Sequence, residues 1–270
     1  MALVPFPKKT SLTDEEPPDW DDLDRDDDGG KMSFLEHLDE LRRRLLYSVV
    51  SLFVGFLIAC AFLTQLFEFV MNPIRSMIPG GQLIYTEPTE AFSLWIKIAV
   101  ITGLLIASPA IMTQVWLFVA PGLYAHEKKW AVPFVAMSSI FFVGGAAFAH
   151  YIVFPMTFKF LASFSSETLV MTPRVEPTFA LYMKLVLAMG LVFQMPTIVL
   201  VLAKIGILTS RFLIKNFKYA VLIIFVVAAV ITPDGSPITQ AAMAGPMLVL
   251  YLFSIFLAWM FGKKRAPAED

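Results

Sequence analysis

Residues 42–63 read RRRLLYSVVSLFVGFLIACAFL: three arginines, then an apolar run from Leu45 to Leu63 that holds no Asp, Glu, Lys or Arg. As a helix rising 1.5 Å per residue, this run matches the roughly 30 Å hydrocarbon core of a bilayer. Four further stretches have the same character, Ile98–Ala125, Ala131–Phe158, Leu185–Ala203 and Ile238–Met260. A sixth, Tyr219–Thr232, has 14 residues and would cover only about 21 Å as a helix. It must thin the bilayer around it or lie against other helices as a shallow or re-entrant segment. The sequence therefore predicts an all-α membrane protein with six transmembrane helices.

Orientation follows from the lysines and arginines. Arg42–Arg44 place the N-terminus in the cytoplasm, and Lys128 and Lys129, then Lys204, Arg211, Lys215 and Lys218, then Lys263, Lys264 and Arg265 fall in alternate gaps. The opposite gaps are poor in cations, with Arg75 alone in Thr64–Glu90 and Arg174 alone in Ser163–Pro177. Six crossings with both termini inside satisfy the rule; a re-entrant hairpin in place of the last two would also return the tail to the cytoplasm.

With 57% apolar composition in 270 residues, the chain has no room for a separate soluble enzyme. The net charge of −1 conceals an acidic start: ten Asp and Glu lie between Asp14 and Asp28, among prolines. Such a segment cannot bury enough apolar surface to order itself, so residues 1–32 are expected to form a disordered cytoplasmic tail. The membrane domain is expected over 33–262 and a short cytoplasmic tail over 263–270. No cleavable signal peptide is expected, since no apolar run begins before about residue 45. Cys60 is the only cysteine, which excludes an intramolecular disulfide and a cysteine metal site.

Three segments are candidates for function. Ser33–Leu46 has capping-box spacing at Ser33 and Glu36, with Phe34, Leu38, Leu41 and Leu45 at helical intervals. An amphipathic helix over 33–46 would run into the first span. It could be an interfacial helix, with arginines on lipid phosphates and Glu40 paired to Arg44, or a recognition surface. The second candidate is the turn Ala120–Lys129, where Pro121-Gly122 breaks the span and sets Glu127 at the membrane surface. Glu127 is either solvated beside Lys128 and Lys129 or presents an anion to a cationic ligand. The third is the polar set Gln114, Lys184, Gln194 and Gln240, which must face protein, water or a partner helix because lipid exposure costs a few kcal/mol. Pro196, two residues after Gln194, kinks its helix, so the site is a docking groove or interhelical glue. There is no phosphate loop, no HExxH and no metal-ligand spacing, and His37, His126 and His150 lie far apart. No catalytic residue, cofactor, metal or nucleic-acid partner is expected.

His37-Leu-Asp-Glu-Leu-Arg-Arg-Arg-Leu-Leu46, Gln114-Val-Trp-Leu-Phe-Val-Ala-Pro-Gly-Leu-Tyr124 leading to His126-Glu127-Lys128-Lys129, and Phe193-Gln-Met-Pro196 together resemble the TatC family, the large subunits of twin-arginine protein translocases. The likeness covers about residues 33–262. It implies a glove-shaped six-helix fold with two short final helices, in the inner membrane of a bacterium. It also implies recognition of twin-arginine signal peptides on folded cargo, in a homo-oligomeric receptor complex with single-span TatB- and TatA-like partners, driven by the proton-motive force. Signal binding would fall to Glu127, Glu40, Leu41, Arg42, Arg44 and Phe118, and partner-helix docking to Gln194 and Gln240. Pro73 and Asp234 would shape the outer cap; Asp234 and Ser236 compete for equivalence to the family's acidic residue. Gln194 stands where many members have glutamate and can still hydrogen-bond a partner helix but cannot carry a proton; Leu252, also often glutamate in the family, removes another partner contact. The competing class is a secondary solute transporter using Lys184 and Gln194, which would need internal repeats that this sequence lacks. A purely structural scaffold is the third reading, in which neutralising Glu127 leaves export unchanged.

Overall fold

The computed structural model describes residues 34–78, 83–119, 131–166, 171–232 and 236–262. Two compact units are distinguished, Met1–Asp39 and Glu40–Asp270. The expected acidic tail 1–32 and the tail 263–270 lie outside the described residues. Among the described residues the only extended pairing is a single bridge between Ile84 and Arg174; everything else is helix and connection.

Helix α1, Phe34–Ala61, is continuous from the polar flank through the first apolar run. Of its apolar window 11% is buried, against 50% for Val175–Ile205, so most of its surface is left to lipid or a partner. It is held where Gly55 meets Gly103 on α3 (Pro88–Val119): a Cβ on Gly103 would lie 2.6 Å from the Phe56 backbone nitrogen. Without water to drive association, such backbone approach is what packs membrane helices. Gly103→Leu is expected to force the helices apart and cost about 1–3 kcal/mol. Thermal unfolding in detergent checks this, and an unchanged Tm would show that the crossing is loose.

The stretch expected as an outer loop, Thr64–Glu90, instead contains helix α2, Leu63–Ser76. Leu63, Leu66, Phe67, Val70, Met71 and Ile74 recur at helical spacing, and the last three are buried. Pro73, expected to shape the outer cap, is thus inside a helix. Helix α3 begins ten residues before the expected Ile98, with Pro88 at its first position and Glu90 in its first turn, both favoured there.

The third span, Val132–Ala162, joins α4 (Ala131–Phe148) to α5 (Phe154–Ala162) through a π-helical turn, Ala149–Val153. That turn carries His150 into the interior, where Nδ1 lies 3.0 Å from the Tyr182 hydroxyl and the ring stacks on Phe69 of α2 at 4.6 Å. The histidine has a packing role that links three elements.

The fourth span is α6 (Val175–Val192) and α7 (Met195–Ile205), interrupted at Phe193–Gln194, as Pro196 requires. Gly206, at φ 87°, ends α7 in the left-handed conformation that glycine adopts without strain. After α8, Ser210–Lys215, capped by the Thr209 hydroxyl, come α9 (Phe217–Ile231) and α10 (Pro237–Phe261). Of these last two helices only α9 is short, at 15 residues; α10, expected to be short as well, runs for 25. A short helix leaves carbonyls open inside the membrane. Here Lys184 Nζ of α6 donates to Val230 O at 2.9 Å, and the Thr232 hydroxyl donates to Ala228 O at 2.9 Å. The ammonium sits at the negative end of the α9 dipole, and α9 can stop where it does because α6 satisfies it.

The N-terminal ends of α3 and α6 are fastened together. Ile84 N–H donates to Pro173 O and Val175 N–H to Ile84 O. Arg174 donates to Glu90 Oε1 at 2.5 Å, Thr86 Oγ1 donates to the same oxygen at 3.0 Å, and Lys97 bridges to Glu176 at 3.1 Å. The bond to Glu90 pushes the Arg174 pKa up from its ordinary value. The main apolar core packs beneath this clamp, around Ile74, Ile98, Phe154, Phe179 and Leu185, all almost fully buried.

Candidate functional site

The segment that the sequence marks as the start of the cytoplasmic face is built on the i,i+4 geometry of α1. Glu40 and Arg44 fall one turn apart, and Arg44 Nη2 reaches Glu40 Oε1 at 3.2 Å. The other branch of the guanidinium, Nη1, donates to Gln114 Oε1 on α3 at 3.4 Å. Both charged groups are largely withdrawn from solvent, with side-chain exposures of 25% for Arg44 and 15% for Glu40. Glu40 Oε2 and Arg44 Nε are buried and without a hydrogen-bond partner among the described residues.

Leu41 and Arg42 are exposed, and Arg43 lies over the Tyr47 ring at 5.7 Å. Phe118 follows Gln114 by one turn on α3 and is half-buried. Glu127, with the rest of 120–130, lies outside the described residues, as does Asp234. Ser236, the alternative to Asp234, accepts the Gln240 N–H at the start of α10. The structure thus brings Glu40, Arg44 and Gln114 together and leaves Leu41 and Arg42 exposed. Gln114 was legible only as a polar residue in a span; that it answers an arginine 70 residues away was not.

All four in-span polar residues find intramolecular acceptors or donors, as the cost of lipid exposure demands. Gln194 Nε2 donates to Ser138 O at 2.8 Å, and Gln240 Nε2 donates to Phe225 O at 2.8 Å, tying α10 to α9. Lys184 and Gln194, the pair a transporter reading needs as its site, are each engaged with a backbone carbonyl.

Beside the kink at Gln194, a groove of about 580 Å³ opens between α3, α4 and α7. Its walls include Val115, Trp116, Phe134 and Val201, with Trp116 stacked on Phe134 at 4.8 Å. Gln194, Ser138 and Thr197 form its polar end, and the Thr197 hydroxyl is buried without a partner among the described residues. Gln194 is therefore both interhelical glue and a groove residue. Among the described residues no cluster of three His, Cys, Asp or Glu could hold a metal ion.

Five helices long and apolar enough to cross a bilayer, with a charged cluster at the polar end of the first and an apolar groove between later ones, define a polytopic membrane protein. The family model for the Sec-independent protein translocase protein (TatC) matches residues 36–246. The chain is 41% identical over 241 residues to the Sec-independent protein translocase protein TatC of Desulforapulum autotrophicum, covering 89% of each chain. It is 41% identical over 240 residues to that of Aquifex aeolicus, covering 88% of this chain and 99% of the relative. A solved structure described as the twin arginine translocase receptor TatC superposes with a TM-score of 0.71 at 42% identity, over 83% of this chain and 98% of that one. The chain belongs to the TatC family of protein translocase subunits. It is a multi-pass protein of the bacterial inner membrane, and nothing supports a solute transporter.

Proposed function

We propose that this chain binds the twin-arginine signal peptides of folded proteins at its cytoplasmic face, as receptor and scaffold, not as an enzyme. The observation that carries this reading is the double use of the last two turns of α3. Gln114 there joins the Glu40–Arg44 cluster, while Val115, Trp116 and Val119 line the groove. A carboxylate for arginine and an apolar bed for the segment that follows it would then both be reached from one end of α3. Glu127 and Glu40 serve the two arginines, because a carboxylate accepts a planar guanidinium bidentately and lysine cannot copy that fork. Leu41, Arg42 and Phe118 flank the bound chain. An exposed ion pair contributes only about 1 kcal/mol or less, so buried apolar surface at about 25 cal/mol per Å² must supply much of the affinity.

Gln194 and Gln240 dock single-span TatB- and TatA-like partners, Pro73 and Asp234 shape the outer cap, and several copies assemble in one receptor complex that uses the proton-motive force. The deciding experiment is binding of a twin-arginine peptide to the purified chain in lipid nanodiscs, beside a twin-lysine control. Selective binding of the arginine peptide is expected; equal affinity for both would refute the receptor role. Transport is expected to need recruited partner helices, and cargo movement by the purified chain alone in energised vesicles would contradict that.

A further inference from the structure

Resting on the receptor reading, we propose that Arg44 is an internal stand-in for the ligand's guanidinium: it occupies Glu40 while the receptor is empty, yields it to the incoming arginine, and is held afterwards by Gln114. The geometry is that of a pair built to be exchanged. Arg44 meets Glu40 through one nitrogen and one oxygen at 3.2 Å, not through the paired fork that makes such contacts strong. Each partner keeps a buried atom without a hydrogen-bond partner among the described residues, Glu40 Oε2 and Arg44 Nε, which leaves part of the desolvation cost of both charges uncompensated there. A second guanidinium that engaged both Glu40 oxygens would make the bond the present pair lacks.

The displaced arginine is not set loose. Its Nη1 already rests 3.4 Å from Gln114 Oε1 on a different helix, an acceptor independent of Glu40. Gln114 is thereby a positioning residue that fixes where Arg44 waits, and the neutral amide holds Arg44 without competing for it as a carboxylate would. The stand-in also shields Glu40 from stray cations. An ammonium ion, which cannot form the fork, gains little by displacing Arg44, so the exchange itself sharpens the choice of arginine over lysine.

The test is peptide affinity in nanodiscs for wild type, Arg44→Gln, Glu40→Gln and the double variant, with Tm as the check on folding. Arg44→Gln is expected to bind the twin-arginine peptide about twofold to fivefold tighter, the range in which such partly exposed pairs compete. The gain should vanish when Glu40→Gln is also present. If Arg44→Gln is too unstable to measure, Arg44→Lys, which cannot span Glu40 and Gln114 together, should show a smaller gain of the same sign. Unchanged or weakened binding in a folded Arg44 variant, with wild type still selective and Glu40→Gln impaired, would overturn the stand-in while leaving the receptor reading intact. Loss of arginine selectivity in wild type, with Glu40→Gln inert, would instead overturn the receptor reading and the stand-in with it.

Discussion

Glu127→Ala is expected to weaken twin-arginine peptide binding by about fivefold, the loss of one surface ion pair worth about 1 kcal/mol. Export of a twin-arginine reporter in cells should fall with it, while a twin-lysine peptide, bound weakly by wild type, should be unaffected. Glu40 is already answered by Arg44, so neutralising it removes a ligand contact but also frees an arginine that no longer has a carboxylate to leave. Glu40→Gln is therefore expected to cost less than Glu127→Ala. Glu127→Asp should recover part of the affinity, because charge and fork acceptance return with a shorter reach, whereas Glu127→Gln should behave like alanine. Unaltered affinity in Glu127→Ala would mean that this carboxylate is a solvated surface group paired with its neighbouring lysines.

The helices that cross the membrane were readable because hydrocarbon imposes a simple demand, a long run without charge. Elements that answer to other demands were not readable by that rule. Helix α2 mixes Thr64, Gln65, Glu68 and Arg75 with its apolar stripe, so its mean hydropathy hides it, although the spacing of Leu66, Val70 and Ile74 was there to be read. The first turns of α3 were lost to the loop because Glu90 and Ser93 look like surface residues; Glu90 is in fact 2% exposed. The break at Gln194 was legible, since Pro196 acts on its own helix. What Lys184 or Gln114 bonds to was not, because their partners lie 46 and 70 residues away and only the tertiary fold brings them near. The candidate site divides in the same way. Its residue types were visible in the motifs, while the prior claim of Arg44 on Glu40 needed the position of α3.

The clamp between α3 and α6 gives the largest expected effect on stability, and its sign can be tested by adding a second mutation to the first. Glu90 has a side chain 1% exposed, one oxygen shared by Arg174 and Thr86, and the other buried without a partner among the described residues. Arg174→Met removes the only cation on that carboxylate among the described residues; Arg174 is itself 46% exposed, but the carboxylate it answers is enclosed and would be left with Thr86 alone, which is costly. The variant should show a marked fall in Tm. Removing the charge as well, in Arg174→Met with Glu90→Met, should recover much of the loss, because two apolar side chains need no counterion and the bridge between Ile84 and Arg174 is made by backbone groups that remain. Arg174→Lys should fall between wild type and Arg174→Met, since an ammonium supplies charge without the fork. If the double variant is less stable than Arg174→Met alone, the two residues hold the outer ends of the helices by independent contacts, and the ion pair is not what fastens them.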